Sequence, residues 1–333
     1  MGVGVPLIDI SGFARGGEAG RRAVAGAVAG AVETIGFFAV TGHGVPAELM
    51  RRTQARLARF FDLPADAKAR YAATANSKNR GYLPFGRDFV AASAGGASPP
   101  DWRETFGFGR FDVPNDDPYY RDPEAAYAYQ PNILPGEVDG LAGTARDYYA
   151  ALEGLNARLL AIFECALGLE EGFLQRHFDR HASILRAINY PDQDAAPADG
   201  QLRCGAHTDF GSHTLLMVDD APGGLQVRDL SGRWVDVAPP PGSYVVNIGD
   251  LLMTWTNDRW LSNFHRVVNP PADAAGSTRR QSVAFFVQPN YDAVIECIES
   301  CRVPGEAPRH EPVVAWQYRR AKLTRTTTGL DPQ

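Results

Sequence analysis

The sequence predicts a mainly β fold, a sandwich or jelly roll, with a helical layer ahead of it. Three observations lead there. Apolar residues recur with a period of about 3.6 as far as Gly168 and with a period of about 2 beyond it. The second half then breaks into short runs rich in β-branched and aromatic residues, separated by turn formers such as Pro239-Pro240-Pro241-Gly242 and Asn257-Asp258. No helical pattern lies between those runs, as a parallel doubly wound sheet would require. With 333 residues, 44% of them apolar, the chain can bury a large core.

In chain order, Val24, Val28 and Val32 build one apolar helix face, and "GFFAV" after them reads as a short buried strand. Leu49, Thr53, Leu57 and Phe60 mark a second amphipathic helix. From about Ala75 to Pro135 the chain is dense in Gly, Pro, Asn and Asp with scattered aromatics, which predicts long ordered loops. A longer helix follows, with Asp139 as N-cap, Gly168 as C-cap, and Leu141, Tyr148, Leu152, Leu155, Leu159 and Ile162 on one face. The strand candidates are then "SILRAINY", "HTLLMV", "GLQVRD", "RWVDV", "SYVVNIG", "HRVV", "QSVAFFVQ" and "AVIECI". Residues 1–135 are expected to pack as a helix, strand and loop region on a core formed by residues 136–333, the two making one structural unit.

Composition narrows the partners. A formal charge of −6 and a pI near 5.7 give no broad basic footprint, which disfavours nucleic acid and anionic membrane and points to a small molecule. Cys165, Cys204, Cys297 and Cys301 form no CxxC pair and read as free thiols. The N-terminus has no basic segment followed by a long apolar one, so a cytoplasmic location is expected. The most membrane-like run, Ala23 to Val40, is interrupted by Glu33 and Thr34 and reads as a helix followed by a strand. Nothing in the sequence reports an oligomeric state.

The chemistry concentrates in "GAHTDFGSHTLL", Gly205 to Leu216. In an extended segment, side chains two apart share a face, so His207 and Asp209 would converge on one point. Alone, such a pair fits a solvated loop equally well. His265, at the start of "HRVV", is the best third ligand. Two histidines and one carboxylate on one face of a metal leave the opposite positions open, as non-haem Fe(II) oxygenases require. In "RRQSVAFFVQPN", Arg280 and Ser282 share a strand face. A guanidinium in a sheet interior is costly unless it meets an anion, and its planar fork suits a carboxylate. Tyr190, ending "AINY", could add a hydroxyl donor. By itself Arg280 reads as a surface residue at a strand entrance; beside the HxD pair and the later histidine it reads as an anion clamp.

Together these motifs resemble the isopenicillin N synthase-like branch of the iron(II)- and 2-oxoglutarate-dependent dioxygenases. "VPLIDIS", "GFFAVTGHGV", "HTDFG", "GGLQV", "NIGD", "NDRW", "HRVV" and "RQS" follow in that family's order over nearly the whole chain. The resemblance implies a double-stranded β-helix core, a distorted jelly roll, with N-terminal helices. It implies Fe(II) on His207, Asp209 and His265, and the cosubstrate 2-oxoglutarate on Arg280, Ser282 and Tyr190 with help from Asn189. Phe286 would contact the organic substrate or simply pack the core. His213 is an extra histidine that would touch substrate or serve as a hydrogen-bonded structural residue. Asn263 stands where the family often has Ser or Thr. The implied reaction couples O2 and 2-oxoglutarate, giving succinate and CO2, to hydroxylation, desaturation or ring closure at an unactivated C–H bond.

Other readings of the same residues are a 2-oxoglutarate-independent Fe(II) oxidase of this fold, a zinc hydrolase using the three ligands around activated water, and a non-catalytic jelly-roll binding protein. The loops from Gly81 to Asp112 read equally as surface loops or as pocket walls suited to a polar, partly flat molecule, an acid or amino-acid derivative among the candidates.

Overall fold

A computed structural model describes residues 4–74, 80–95, 99–114, 116–193 and 196–326. Strand β1 (Leu7–Asp9) leads through α1 (Ser11–Arg15) and α2 (Gly17–Thr34) to β2 (Phe37–Thr41), then α3 (Ala47–Phe61) and α4 (Ala65–Ala69). Next come β3 (Gly81–Leu83), β4 (Glu104–Phe108), α5 (Pro123–Ala128) and the long α6 (Leu141–Leu167). Seven strands follow before the next helix or after it: β5 (Ile184–Tyr190), β6 (Cys204–His207), β7 (His213–Val218), β8 (Leu225–Arg228), β9 (Trp234–Asp236), β10 (Tyr244–Ile248) and, past α7 (Asp250–Trp255), β11 (His265–Val267). The chain closes with β12 (Arg280–Val287), β13 (Val294–Ile295), β14 (Val313–Val314) and α8 (Ala315–Thr326).

Two sheets face each other. The larger has the order β1-β2-β10-β7-β12-β5-β4-β3, and the smaller β6-β11-β8-β9. This is the jelly-roll core that the strand pattern predicts. Alternation along the central strands divides their side chains between two environments. From β12, Val283, Phe285 and Val287 join the core beneath α6, whereas Ala284 and Phe286 pack in the layer between the sheets. Helix α6 supplies the outer layer with Tyr148, Leu152, Leu155, Leu159 and Ile162 fully buried, and α2 and α3 pack beside it. Truncating such a buried leucine to alanine costs about 2–5 kcal/mol.

Several local expectations change. The segment read as loop contains β3 and β4, which extend the large sheet through the pairing of β4 with β5. Both are buried on both faces, so neither shows the alternation that announces a half-exposed strand. On α3, Met50 is buried where Leu49 was expected, and Leu49 is only partly covered. The N-cap of α6 is Gly140 in the left-handed region (φ 67°), not Asp139. Among the described residues, no side chain accepts from the first amides of α6; the carbonyl of Gly140 accepts from Arg56 of α3, which also reaches Thr144 and ties the two helices together. Gly168 does cap the far end, at φ 68°. The four cysteines are free thiols. Among the described residues, no helix is long and apolar enough to cross a membrane.

Candidate active site

The site lies between the sheets. His207 ends β6 and His265 begins β11, and these residues pair directly across the antiparallel ladder. Asp209 follows β6 in an irregular segment held by the start of α7, whose Asp250 and Leu251 amides donate to the carbonyls of Asp209 and Gly211. Gly249 permits that approach: a Cβ there would lie 2.4 Å from the Gly211 oxygen. The result is three buried ligand atoms, all within 4.8 Å of one another. Asp209 Oδ1 is 3.8 Å from Nε2 of His207 and 3.8 Å from Nε2 of His265.

Hydrogen bonds orient each ligand. His207 Nδ1 donates to the Gly205 carbonyl at 2.8 Å, and His265 Nδ1 donates to the Asn263 carbonyl at 3.2 Å, so both Nε2 lone pairs face the common point. Asp209 Oδ2 accepts from Thr214 Oγ1 at 2.6 Å and Asn247 Nδ2 at 2.7 Å, leaving Oδ1 for a metal. Burial acts to raise the Asp209 pKa, but His265, His207 and the two hydrogen bonds outweigh it and keep the carboxylate ionised. Burial, reinforced by His265, pulls His207 down to about 3, so its imidazole is neutral. Phe37 meets the His265 ring edge-on at 5.4 Å. Two neutral imidazoles and one carboxylate suit a divalent transition metal that keeps open positions.

From this triad a cavity runs to Arg280, lined along its length by Tyr190, Ser282, Leu216 and Phe286. Arg280 and Tyr190 are direct cross-strand partners on β12 and β5. The carbonyls of Asp219, Ala221 and Gly223 accept from Arg280 Nη1 at 3.3, 3.0 and 3.4 Å, and Asp219 Oδ1 lies 3.4 Å away. All these partners fall on one nitrogen, so Nη2 and Nε remain for the cavity. Burial pushes the Tyr190 phenol up to about 12, which makes it a hydrogen-bond donor at neutral pH. A fixed guanidinium fork, a serine hydroxyl and a phenol at the cavity's far end fit the carboxylate of a short dicarboxylic oxo-acid.

Two expected site residues stand elsewhere. Asn189 points to the opposite face of β5, where it donates to Glu104 Oε1 at 2.8 Å and accepts from Arg279 Nε at 2.9 Å. Glu104 Oε2 also accepts from Lys68 and Tyr82, making a buried polar web behind the sheet. His213 is buried on the α6 side of β7, edge-on to Phe163 at 5.1 Å. Its Nδ1 meets Ser212 Oγ, and its Nε2 has no partner. Phe286 does line the cavity. Asn263 donates to the Ile35 and Arg228 carbonyls and sets the loop before His265.

Sequence reasoning missed Thr214 and Asn247, although alternation places both on the inner face of β7 and β10. It also missed Arg103, which borders the cavity and pairs with Asp88 at 2.7 Å and Asp101 at 3.1 Å. Asp101 in turn accepts from the Gly205 amide at 2.8 Å, bracing the strand that carries His207. The loop region from Gly81 to Asp112 therefore reaches the site through β4 and its neighbours.

Comparison with known proteins agrees with this geometry. Residues 5–137 match the model of the non-haem dioxygenase N-terminal region named for morphine synthesis, and residues 172–289 match the 2OG-Fe(II) oxygenase superfamily. The chain belongs to the 2-oxoglutarate- and Fe(II)-dependent oxygenases. It is 35% identical to the 2-oxoglutarate-Fe(II) type oxidoreductase hxnY of Emericella nidulans, over 92% of this chain and 86% of that one. It is also 35% identical to the validamycin A dioxygenase of Streptomyces hygroscopicus subsp. limoneus, over 85% and 76% of the two chains. A full-length Neurospora crassa protein solved in complex with alpha-KG superposes with a TM-score of 0.83 at 30% identity, covering 96% of each chain. The same protein has been solved with alpha-KG and thymine together. The chain is thus an oxidoreductase that uses Fe(II), 2-oxoglutarate and O2 to oxidise a small molecule.

Proposed function

We propose that His207 Nε2, His265 Nε2 and Asp209 Oδ1 hold Fe(II), and that Arg280, Ser282 and Tyr190 hold the distal carboxylate of 2-oxoglutarate in the cavity between them. The observation that carries this reading is the single cavity that joins the triad to Arg280. Fe(II) held there would supply, with 2-oxoglutarate and dioxygen, the oxidising power for decarboxylation of the oxo-acid to succinate and CO2 and for oxidation of a substrate C–H bond. The protein's part is placement. Thr214 and Asn247 fix the carboxylate ligand, and Gly205 and Asn263 fix the imidazole tautomers. Tyr190 keeps its proton and donates it in a hydrogen bond. Leu216, Ile188 and Val267 keep the cavity wall apolar, which strengthens the pairing between Arg280 and a carboxylate.

A second cavity, on the other side of His207 and Asp209, takes the organic substrate. Phe286 lies between the two and presents the substrate to the metal. The free thiols suit a reducing cytoplasm, and the net charge of −6 favours a small-molecule partner over nucleic acid or anionic lipid.

The test is turnover without organic substrate. Protein loaded with Fe(II) under anaerobic conditions, then given 2-oxoglutarate and air, should release succinate slowly. Zinc-loaded protein should release none. An Fe(II)-replete protein that neither binds nor decarboxylates 2-oxoglutarate overturns the assignment.

A further inference from the structure

The second cavity carries an unusual amount of positive charge. Its wall includes Arg103, Arg186 and Arg319, with Phe210 and Phe286 as aromatic surfaces and Gln288 as a neutral polar group. Arg186 alternates with Ile184 and Ile188 on β5 and so shares the inner face. Arg319 comes from α8, which packs against the turn at Val90–Ala94 and closes that end.

The three guanidiniums differ in how they are met. Arg103 is met by Asp88 and Asp101 in direct ion pairs. Arg186 lies in the fields of Asp88 and Asp209. Arg319 is only 5% exposed, and its guanidinium carbon lies 5.2 Å from the centre of the Trp316 ring. Among the described residues, no carboxylate lies within ion-pair distance of it. Arg80, held by the carbonyls of Ala128 and Gln130, adds to the positive field from behind. Burial, then Arg80 and Arg186, bring Arg319 down to about 9, the mark of a cation with too little compensation. A buried guanidinium facing an open cavity without an anion is costly, and a ligand that brings the anion removes the cost.

Resting on the substrate cavity assigned above, we infer that the organic substrate carries a carboxylate, bound by Arg319 of α8 together with Arg186 of β5. A single negative charge matches the one uncompensated guanidinium better than a phosphate dianion does. Phe210 and Phe286 would flank the carbon skeleton, and the carboxylate at the α8 end directs the opposite end of the molecule toward His207 and Asp209. Arg319 is on this reading a specificity-determining residue.

Calorimetric binding to the Mn(II)-loaded protein at saturating 2-oxoglutarate tests the inference, because the cosubstrate then blocks the Arg280 end. The probes are propanoate, benzoate and phenylacetate, their three amides, and phenyl phosphate. At least one acid should bind tenfold or more tightly than its amide and more tightly than phenyl phosphate. Arg319→Met should bring that acid and its amide to within about twofold, and Arg319→Lys should restore part of the preference while confirming that the chain folds with a cation there. No acid preferred over its amide, preference for the phosphate, or a preference unchanged in Arg319→Met each overturns it. Fe(II) binding and substrate-free succinate release by the unaltered protein report separately on the iron and 2-oxoglutarate assignment, so the two can fail independently.

Discussion

His207 and His265 are neighbours across two strands, with imidazole centroids 4.2 Å apart at a non-parallel angle of 51°. Both rings therefore hang from one rigid ladder, and only Asp209 is delivered by an irregular segment. Replacing any of the three by alanine removes one of three protein bonds to the metal without removing core packing. His207→Ala, Asp209→Ala and His265→Ala should each purify with little iron and unchanged circular dichroism. A fully iron-replete, active Asp209→Ala protein contradicts the ligand set.

Thr214→Val tests the support of the carboxylate. It is close to isosteric and deletes one of the two hydrogen bonds on Asp209 Oδ2. Loss of such an outer partner weakens metal affinity by about 10–100-fold. Competitive titration with a chelator should show that drop, and an unchanged affinity would mean Asn247 alone suffices.

Arg280→Leu should raise the Michaelis constant for 2-oxoglutarate steeply. Leaving a buried carboxylate without its charged partner costs about 2–5 kcal/mol, or roughly thirtyfold and upward. Tyr190→Phe removes a neutral hydrogen bond worth about 0.5–1.5 kcal/mol and should have a smaller effect in the same direction. Succinate formation as a function of 2-oxoglutarate concentration measures both.

Asn189→Leu separates stability from cosubstrate binding. Lys68 and Tyr82 both meet Glu104 Oε2, so losing the Asn189 amide strands Oε1 in a buried setting. About 1–3 kcal/mol of stability should be lost, seen as a lower urea midpoint. The Michaelis constant for 2-oxoglutarate should stay within about twofold of wild type, since one kcal/mol corresponds to a larger change. A large increase would return Asn189 to the site.

His213→Leu makes a pH prediction. Burial holds this imidazole down to about 3, against 6.5 in the unfolded chain. Between those values the unfolded chain binds the extra proton, so stability is full above pH 6.5 and is lost progressively as pH falls toward 3. At pH 5 the loss from this one group is about 2 kcal/mol. The variant should keep its iron, and its urea midpoint should fall less between pH 7 and pH 5 than that of the wild type. An equal fall in both proteins would show that His213 is not buried neutral.

Much of the site could be read because it is written in strand alternation. Arg280 and Ser282 are two apart on one strand, so alternation put them on one face; Tyr190 was joined to them by the family resemblance, and its place opposite Arg280 comes from the register of β5 and β12. The same rule separates the residues that fell elsewhere: Asn189 is adjacent to Tyr190, and His213 to Thr214, so neither can share its neighbour's face. β3 and β4 escaped for the opposite reason, being short, flanked by Gly and Pro, and covered on both faces. Arg186 carried a legible signal, four positions before Tyr190 on the same strand. Arg319 carried none, since it reaches the cavity from a helix whose docking depends on tertiary contacts far along the chain.

The match to the oxygenase superfamily ends at residue 289, and α8 begins only at Ala315. The residues proposed to hold iron and cosubstrate all fall inside the matched stretch, while the helix that bears Arg319 lies beyond it. A change confined to this terminal helix would therefore alter the proposed acid preference while leaving the residues proposed for iron and cosubstrate untouched.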